Sequence, residues 1–385
     1  MPAFPNYSSA TLVALGEQAE AILATLAARG YARVETSILQ PATIFLERAG
    51  EEIRRRTFVL TDPAGNELCL RPDLTIPVCR MHLADAGSYP ARLCYNGLVF
   101  RHQPAEPERP TQFYQAGAEL LGAADRRSAD TEILALAVEA LHAAGLDGFS
   151  VKLGDLGLFG AFVDALAIPP QWRGRLKRHF WRAGYFEALL AKLSQKPASD
   201  AQRLLAHLGS LEESEARPAF EGLMDMLGSA PLGGRTREEI VNRLGEQAAE
   251  AALRLDKDIA DVIARFLAVS GSAAQSLQEI RDITRSAGVV LDEPLEAMAQ
   301  RLGTLDRLGV APDRIGFATR FGRNMEYYTG FVFELWSRDR EGAVQIAGGG
   351  RYDTLMEQLG APRAIPAIGF TIRTERVLAA RATQP

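Results

Sequence analysis

The chain has 385 residues, which is long for one ordinary hydrophobic core and predicts two or three packed units. Hydrophobic residues make up 47% and charged residues 24% of the sequence, ordinary values for a globular protein that exclude the disordered and collagen-like classes. The formal net charge of −5 argues against a protein whose whole surface binds nucleic acid.

A helix is predicted near the N-terminus, and an extended segment follows it. Ser8 and Ser9 precede apolar residues at helical spacing, and Gly30 is suited to end the helix in a left-handed conformation. The segment YARVETSIL (31–39) is rich in β-branched residues and predicts one strand that ends before Pro41.

Two antiparallel strand pairs are predicted next. Apolar residues alternate on both sides of the turn DPAGN (62–66), which predicts a hairpin over 56–73. The segments RLCYNGLVFR (92–101) and QFYQAGAELLG (112–122) predict a second pair around the polar, proline-rich loop QPAEPERPT. A helix at about 128–144, with Ser128 as its N-cap and Gly145 as its stop, leads to the strand FSVKLGD (149–155).

The middle of the chain has a different pattern from its two ends. Strand signals disappear from about 158 to 308, where Leu/Ala-rich helical periodicity predominates. Strands return at about 313–346, then comes a triple glycine, the strand AIGFTI and a last helix. We therefore predict an α+β core formed by 1–157 and 309–385, interrupted by a helical insertion at 158–308.

Several classes of site and location are disfavoured. The three cysteines, Cys69, Cys79 and Cys94, cannot all pair and lack the close doublets of a zinc site, so we expect reduced thiols. No stretch approaches the roughly 20 apolar residues of a spanning helix, and the N-terminus lacks the features of a secretory signal. We predict a cytoplasmic protein without metal, cofactor or membrane contact.

Two basic segments have two interpretations each. The segment QWRGRLKRHFWR (171–182) interleaves aromatic and basic residues, as RNA-binding or subunit-binding segments do. An amphipathic helix with Trp172, Phe180 and Trp181 on its buried side explains the same pattern, and we favour that interpretation. The arginine run at 54–56 is interpreted as solvated surface.

Polar side chains concentrate in four segments at predicted strand ends. They are LRPDLT (70–75), the second hairpin with its loop (100–119), GRNMEYYTG (322–330), and GGGRYD (348–353) with GFTIRTER (369–376). Each combines arginine with a carboxylate, amide or tyrosine, which is what a pocket for a small zwitterion requires. For any single segment, ordinary surface ion pairs remain an alternative.

Taken in order, these segments resemble class II aminoacyl-tRNA synthetases, and closely the histidyl-tRNA synthetase branch. The FR…F-Q hairpin resembles the second class II motif, GFTIRTER the third, and GYARVETSILQPATIF more loosely the first. GRNMEYYTG and AGGGRYD resemble the two segments that mark the histidine enzyme. The resemblance implies a class II synthetase-like core with an antiparallel sheet flanked by helices.

The resemblance also implies a retained pocket for L-histidine. The acidic residue and threonine that hold the substrate amine match Asp73 and Thr75, and an arginine, Arg323, is available for the carboxylate. Tyrosine, glutamate and glutamine side chains offer hydrogen-bond donors and acceptors for the imidazole, and Glu119 and Tyr328 are expected to contact it. The complete set of matched positions is Asp73, Thr75, Arg101, Gln115, Glu119, Arg323, Tyr327, Tyr328 and Tyr352.

The ATP-activating part departs from the synthetase pattern. Gln103 stands where synthetases have a glutamate that contacts adenine, and Arg373 stands where the third motif has a glycine next to the nucleotide. The hairpin loop is proline-rich and keeps few basic residues, although Arg109 remains and Arg376 persists in the third motif. Nine residues follow Arg376, so we expect no C-terminal anticodon-binding domain and no tRNA partner.

Within this group the chain resembles the family of ATP phosphoribosyltransferase regulatory subunits. That resemblance implies a homodimer within a hetero-oligomer, assembled with the short-form catalytic subunit for the first step of histidine synthesis, without catalysis of its own. Histidine, the product, would be the sensed ligand. Two alternatives remain: a truncated synthetase-like enzyme that adenylates histidine, and a scaffold without a ligand.

Overall fold

The computed structural model describes residues 6–384 except 49–50, 104–109, 169, 181–182, 195–198, 210, 212, 227–236, 253–254, 322–326 and 340–341. The strands are β1 Ala32–Arg33, β2 Leu39–Pro41, β3 Phe58–Thr61, β4 Glu67–Leu70, β5 Ala91–Phe100, β6 Gln112–Leu121, β7 Ser150–Asp155, β8 Ser270–Ser272, β9 Ile315–Ala318, β10 Phe331–Asp339, β11 Gly342–Arg351 and β12 Ala367–Arg373. The helices are α1 Ser9–Ala28, α2 Ala42–Arg48, α3 Glu51–Arg56, α4 Thr75–Ala84, α5 Arg126–Ala143, α6 Leu156–Ala165, α7 Pro170–His179, α8 Ala183–Ser194, α9 Asp200–Leu208, α10 Glu213–Met226, α11 Arg237–Ala252, α12 Lys257–Ala268, α13 Ala273–Ser286, α14 Asp292–Arg307, α15 Leu355–Gln358 and α16 Thr374–Arg381, with a 3-10 turn at Pro312–Arg314.

The strands form one large sheet and one small sheet. The large sheet has nine strands in the order β1-β5-β6-β12-β11-β10-β7-β9-β8, and β2-β4-β3 form the second. The pairings β1·β5 and β7·β9 are parallel, and the other neighbours are antiparallel. Helices α1, α5 and α16 pack on the large sheet. The predicted α+β core is confirmed, with a sheet that is mixed rather than wholly antiparallel.

Both predicted hairpins are confirmed. Strands β3 and β4 pair antiparallel, and Asp62 closes their turn by accepting hydrogen bonds from the backbone N–H groups of Ala64 and Asn66 at 2.9 and 2.8 Å. Gly65 has φ +86°, a conformation that glycine adopts without strain. Strands β5 and β6 pair from Ala91↔Leu121 to Phe100↔Gln112 along their full length.

Helix α1 begins where the sequence predicts. Ser8 Oγ accepts a hydrogen bond from Thr11 N, and Gly30 follows the helix with φ +84°. Among the described residues, α1 alone is long and apolar enough by length and composition to cross a membrane. Its Leu15 and Ile22 are buried, however, and Gln18 Nε2 donates to the carbonyl of Thr374, so α1 is a helix of this fold's core.

Segment 31–39 does not form the single predicted strand. It forms β1, which pairs with β5 in the large sheet, and β2, which pairs with β4 in the small one. Arg71 stabilises the change of direction, because its guanidinium donates to the carbonyl of Thr36 and its backbone N–H donates to Ile38 O. Pro41 lies inside β2 rather than after it, which an edge strand tolerates because the missing N–H faces no partner.

Helix α5 is capped by a residue that the sequence analysis missed. Asp125 Oδ1 accepts a hydrogen bond from Ser128 N at 3.1 Å, and Ser128 Oγ donates to Asp125 Oδ2 at 2.6 Å. Ser128 therefore lies in the first turn, and the prediction that it is the cap is wrong. Gly145, with φ +78°, ends the helix region as predicted.

The chain divides into two compact units, residues 1–162 with 268–385, and residues 163–267. The helical unit is therefore shorter than the predicted insertion at 158–308. The residues after 267 belong to the core because β8, a strand where only helices were expected, pairs with β9. Helix α14 belongs there too, since its Arg301 forms ion pairs with Asp130 and Asp155.

The helical unit includes the basic and aromatic segment 171–182. Trp172 and Phe180 are buried, and Lys177 forms an ion pair with Asp164. The described residues therefore support the amphipathic-helix interpretation, while Trp181 lies outside them.

Candidate functional site

The candidate site lies on one face of the large sheet, where β6 runs beside β12. Side chains alternate between the two faces of a strand, so Gln115, Gly117 and Glu119 share a face of β6. Glu119 lies opposite Gly369 and Gln115 lies opposite Arg373. This register places a carboxylate and an amide on one face, with a glycine directly beside the carboxylate.

Glu119 is fully buried and is surrounded by hydroxyl groups. Tyr95 Oη donates a hydrogen bond to Glu119 Oε1 at 2.7 Å, and Tyr352 Oη donates to Oε2. The Thr75 hydroxyl also favours the charged form of this carboxylate. Burial raises the pKa of Glu119 to about 7, because it disfavours the charged form more than the three hydroxyls favour it. Glu119 is therefore an acceptor that changes charge near neutral pH.

Two glycines make room for this arrangement. A Cβ atom at position 369 would lie 1.7 Å from Glu119 Oε2 and 2.7 Å from the carbonyl oxygen of Ala118. A Cβ atom at Gly117 would lie 2.8 Å from Tyr95 Oη. Both glycines are required by the close approach of the acidic and phenolic side chains across the sheet.

Asp73 adds a second buried carboxylate to the pocket. Its Oδ1 accepts a hydrogen bond from Ile76 N at 3.1 Å at the start of α4, and its buried Oδ2 has no hydrogen-bond partner among the described residues. Burial raises the pKa of Asp73 to about 6, although the positive charge of Arg101 opposes that rise. Gln115 Oε1 is likewise buried without a partner in the described part of the chain.

Three predicted tyrosines form one cluster. The ring centroids of Tyr327 and Tyr352 are 5.8 Å apart in an edge-to-face arrangement, and those of Tyr327 and Tyr328 are 4.9 Å apart. Tyr327 and Tyr352 are buried, and Tyr328 is half-buried. Through Tyr352 this cluster is continuous with Glu119.

The structure thus brings most predicted residues together. Arg101 lies beside this group, with its Nε donating to the carbonyl of Pro72 at 2.7 Å. Arg323 lies outside the described residues. The sequence analysis missed Tyr95, which the pairing register Tyr95↔Gly117 would have placed on the same face as Glu119.

Arg373, one of the positions that depart from the synthetase pattern, packs together with Arg101 against Phe113 of β6. The guanidinium groups of Arg373 and Arg101 lie over the ring of Phe113, at 4.8 and 5.5 Å from its centroid. Gln103 is buried, and Arg376 donates to the carbonyl of Gln345 at 2.8 Å. Arg109 and most of the hairpin loop lie outside the described residues. A large cation therefore occupies the face of Phe113 where a glycine would leave open space.

The sequence matches one protein-family model and is similar to curated relatives. A histidyl-tRNA synthetase family model matches residues 10–219 and 220–377. An ATP phosphoribosyltransferase regulatory subunit of Chelativorans sp. is 37% identical over 369 residues, covering 94% of this chain and 97% of the relative. The subunit of the same name from Mesorhizobium japonicum is 38% identical over 365 residues, covering 93% of this chain and 96% of the relative.

Solved structures share the fold. A protein of Bacillus halodurans described as an ATP phosphoribosyltransferase regulatory subunit/histidyl-tRNA synthetase superposes with a TM-score of 0.67 at 24% identity, covering 98% of this chain and 82% of that one. The histidyl-tRNA synthetase of Nostoc sp. superposes with a TM-score of 0.60 at 15% identity, covering 98% and 74%. At these identities the likeness shows a shared fold.

Proposed function

Because this chain belongs to the family of ATP phosphoribosyltransferase regulatory subunits, we propose that it controls the short catalytic subunit of that transferase by binding histidine in the pocket around Glu119. Feedback through such a pocket requires histidine to bind one state of the assembly better than another. The observation that carries the proposal is the set of buried acceptor atoms that the protein leaves available to a ligand.

The buried acceptors match the donors of histidine. Asp73 Oδ2 and Gln115 Oε1 are buried without partners in the described part of the chain, and buried polar atoms are costly unless they are hydrogen-bonded. An ammonium group supplies donors to Asp73 with Thr75 beside it, and an imidazole N–H supplies one to Glu119. Arg323 is the proposed partner of the ligand carboxylate.

The absence of amino-acid activation is also a proposal, and one position in each of the second and third motifs supports it. Arg373 occupies the face of Phe113 next to β12, and Gln103 stands at the position of the synthetase glutamate. Both changes act on the side where ATP would bind, while the acceptors around Glu119 are kept. Retained Arg101, Arg323 and Arg376 favour the alternative, an enzyme that adenylates histidine. Histidine-dependent pyrophosphate–ATP exchange at the rate of an authentic synthetase would establish that alternative.

The small sheet supports the proposed homodimer. Its pairing register places six apolar side chains on the face opposite the buried Cys69, and Leu39 and Leu60 of that face are 46% and 37% exposed. The six are Leu39, Pro41, Phe58, Leu60, Leu68 and Leu70. A continuous apolar face of this kind is stabilised when a second copy covers it. We place this dimer in the cytoplasm, in a hetero-oligomer with the catalytic subunit and without tRNA.

Calorimetry with purified protein tests the histidine site. Histidine should bind, and Arg323→Ala should lose a charge-assisted contact worth about 1.5–3 kcal/mol, or roughly ten- to more than a hundredfold in affinity. Glu119→Gln should cost less, because one acceptor remains, but should weaken discrimination against other amino acids. Activation of the catalytic subunit should persist in both variants, and inhibition should require more histidine. Unchanged affinity and inhibition in Arg323→Ala would place the inhibitor on the catalytic subunit.

A further inference from the structure

A buried ion-pair network lies next to the pocket and has no part in the ligand contacts described above. Its five side chains come from α5, β7, α14 and the end of β11; they are Asp130, Asp155, Arg301, Arg351 and Asp353, here called the Asp130 network. Asp130, Arg301 and Arg351 are 2%, 5% and 6% exposed, so the ion pairs at its centre are shielded from water. Ion pairs so buried are costly to form, and their geometry is strongly restrained.

Arg351 uses its whole guanidinium within this network. Its Nε and Nη2 donate to Asp130 Oδ1 at 3.0 and 2.6 Å, and its Nη1 donates to Asp353 Oδ1 at 2.9 Å. Its Nη2 also donates to the carbonyl of Arg126 at 3.0 Å. Four such bonds in a rigid planar fork fix the orientation of the group in a way that a lysine ammonium does not reproduce.

The residue between Arg351 and Asp353 is Tyr352, whose hydroxyl donates to Glu119. The backbone N–H of Tyr352 donates to Ala367 O at 2.8 Å, and Asp353 Oδ1 accepts from Ala367 N at 3.0 Å. Both flanks of Tyr352 are therefore anchored by side chains of the network, and its ring extends from that anchor into the pocket.

We propose that Arg351 is a positioning residue of the ligand pocket: held by Asp130 and Asp353, it fixes Tyr352 so that the phenolic hydroxyl stays on Glu119. The inference deepens the histidine-sensing proposal and rests on it for the identity of the ligand. Asp130 also holds Arg301 of α14 through its other oxygen, so the same carboxylate joins α14 to the strand end that carries Tyr352.

A double-mutant cycle separates positioning from simple structural support. Arg351→Lys keeps the charge next to Asp130 but loses the fork, and we expect histidine affinity to fall about three- to tenfold, the effect of one misplaced hydrogen bond. In the Tyr352→Phe background the same lysine should change affinity less than about twofold, because the hydroxyl it positions is absent. The control is Arg92→Lys, which alters the two-pronged ion pair with Glu132 outside the pocket and should leave affinity unchanged.

A second measurement does not depend on histidine. Carbon-13 NMR of glutamate-labelled protein, with the Glu119 signal identified by its loss in Glu119→Gln, follows the titration of that carboxyl group. The groups that face Glu119 are Tyr95 on β5, Tyr352, Thr75 and Asp73 at the start of α4, and Cys79. If Arg351→Lys loosens the Tyr352 hydrogen bond, which favours the ionised form, the Glu119 titration should move to higher pH.

Each outcome decides the proposal. Loss of affinity in the wild-type background only, together with the upward titration shift, supports it. An equal loss in both backgrounds, no loss, or an unmoved Glu119 titration in folded Arg351→Lys protein overturns it. If histidine does not bind the wild-type chain, the histidine-sensing proposal fails, and the Glu119 titration alone decides the role of Arg351.

Discussion

The buried Glu119 carboxyl group should make the unfolding free energy fall as pH rises, and Glu119→Gln should remove that fall. The pKa of Glu119 is raised by burial from 4.5 to about 7. Between these values the folded chain binds more protons than the unfolded chain, so stability is greatest below the unfolded pKa and decreases up to the folded pKa. Taking both values, the loss attributable to this group between pH 5 and pH 8 is roughly 2–3 kcal/mol.

Urea unfolding without histidine, at pH 5 and pH 8 and constant ionic strength, measures this loss. The wild-type chain should lose roughly 2–3 kcal/mol more than Glu119→Gln over that range. Asp73, whose pKa is also raised by burial, contributes a change of the same sign to both proteins and largely cancels in the comparison.

Glu132 provides a control, because its pKa is shifted in the direction opposite to that of Glu119. Burial opposes its ionisation, but hydrogen bonds from Arg92 and Tyr31 outweigh burial and hold its pKa below the ordinary value. The stability it contributes is present above the unfolded pKa and is lost as pH falls, so Glu132→Gln should be destabilised more at pH 8 than at acidic pH. Equal pH dependence in wild type and Glu119→Gln would refute the burial argument for Glu119.

Three further outcomes follow from the pocket and the small sheet. Asp73→Asn should weaken histidine binding roughly tenfold or more in calorimetry, because a charge-assisted bond to the amine is lost; unchanged affinity would remove Asp73 from the site. Gly369→Ala should lower the thermal midpoint and abolish histidine binding, since a Cβ there would meet Glu119 Oε2 and a backbone carbonyl; full binding would contradict the close approach. Leu60→Asp should convert a dimer to a monomer in sedimentation, whereas Val290→Asp, at a residue 75% exposed outside the small sheet, should leave the dimer intact. A monomeric wild type would contradict the dimer.

The sequence correctly predicted those elements that are stabilised by residues within the same short segment. The turn at 62–66 contains its own hydrogen-bond acceptor, and the second hairpin alternates along the whole of both strands. Segment 31–39 was misjudged because its division depends on Arg71, a residue more than thirty positions later that donates to the carbonyl of Thr36. Asp125 was overlooked as a cap because Ser128, three residues on, carries an equally suitable hydroxyl.

The same distinction applies to the pocket. Motif resemblance identified Asp73 and Glu119, since those residues lie in recognisable segments. It did not indicate the Asp130 network, because Asp130 and Arg301 lie in segments without a motif, and Asp130 is 171 positions from Arg301 and 221 positions from Arg351. Their pairing follows from packing α5 and α14 beside the end of β11, which no local pattern encodes.

The constraint on position 369 comes from across the sheet and not from its own strand. Strand interiors ordinarily favour β-branched residues over glycine. A larger residue at this position is therefore opposed by the neighbouring Glu119 carboxylate and by the backbone carbonyl of Ala118. A relative with a larger residue at the position of Gly369 has no room for a glutamate placed as Glu119 is here. The residue at this one position therefore tells, from sequence alone, which relatives lack the pocket geometry described above.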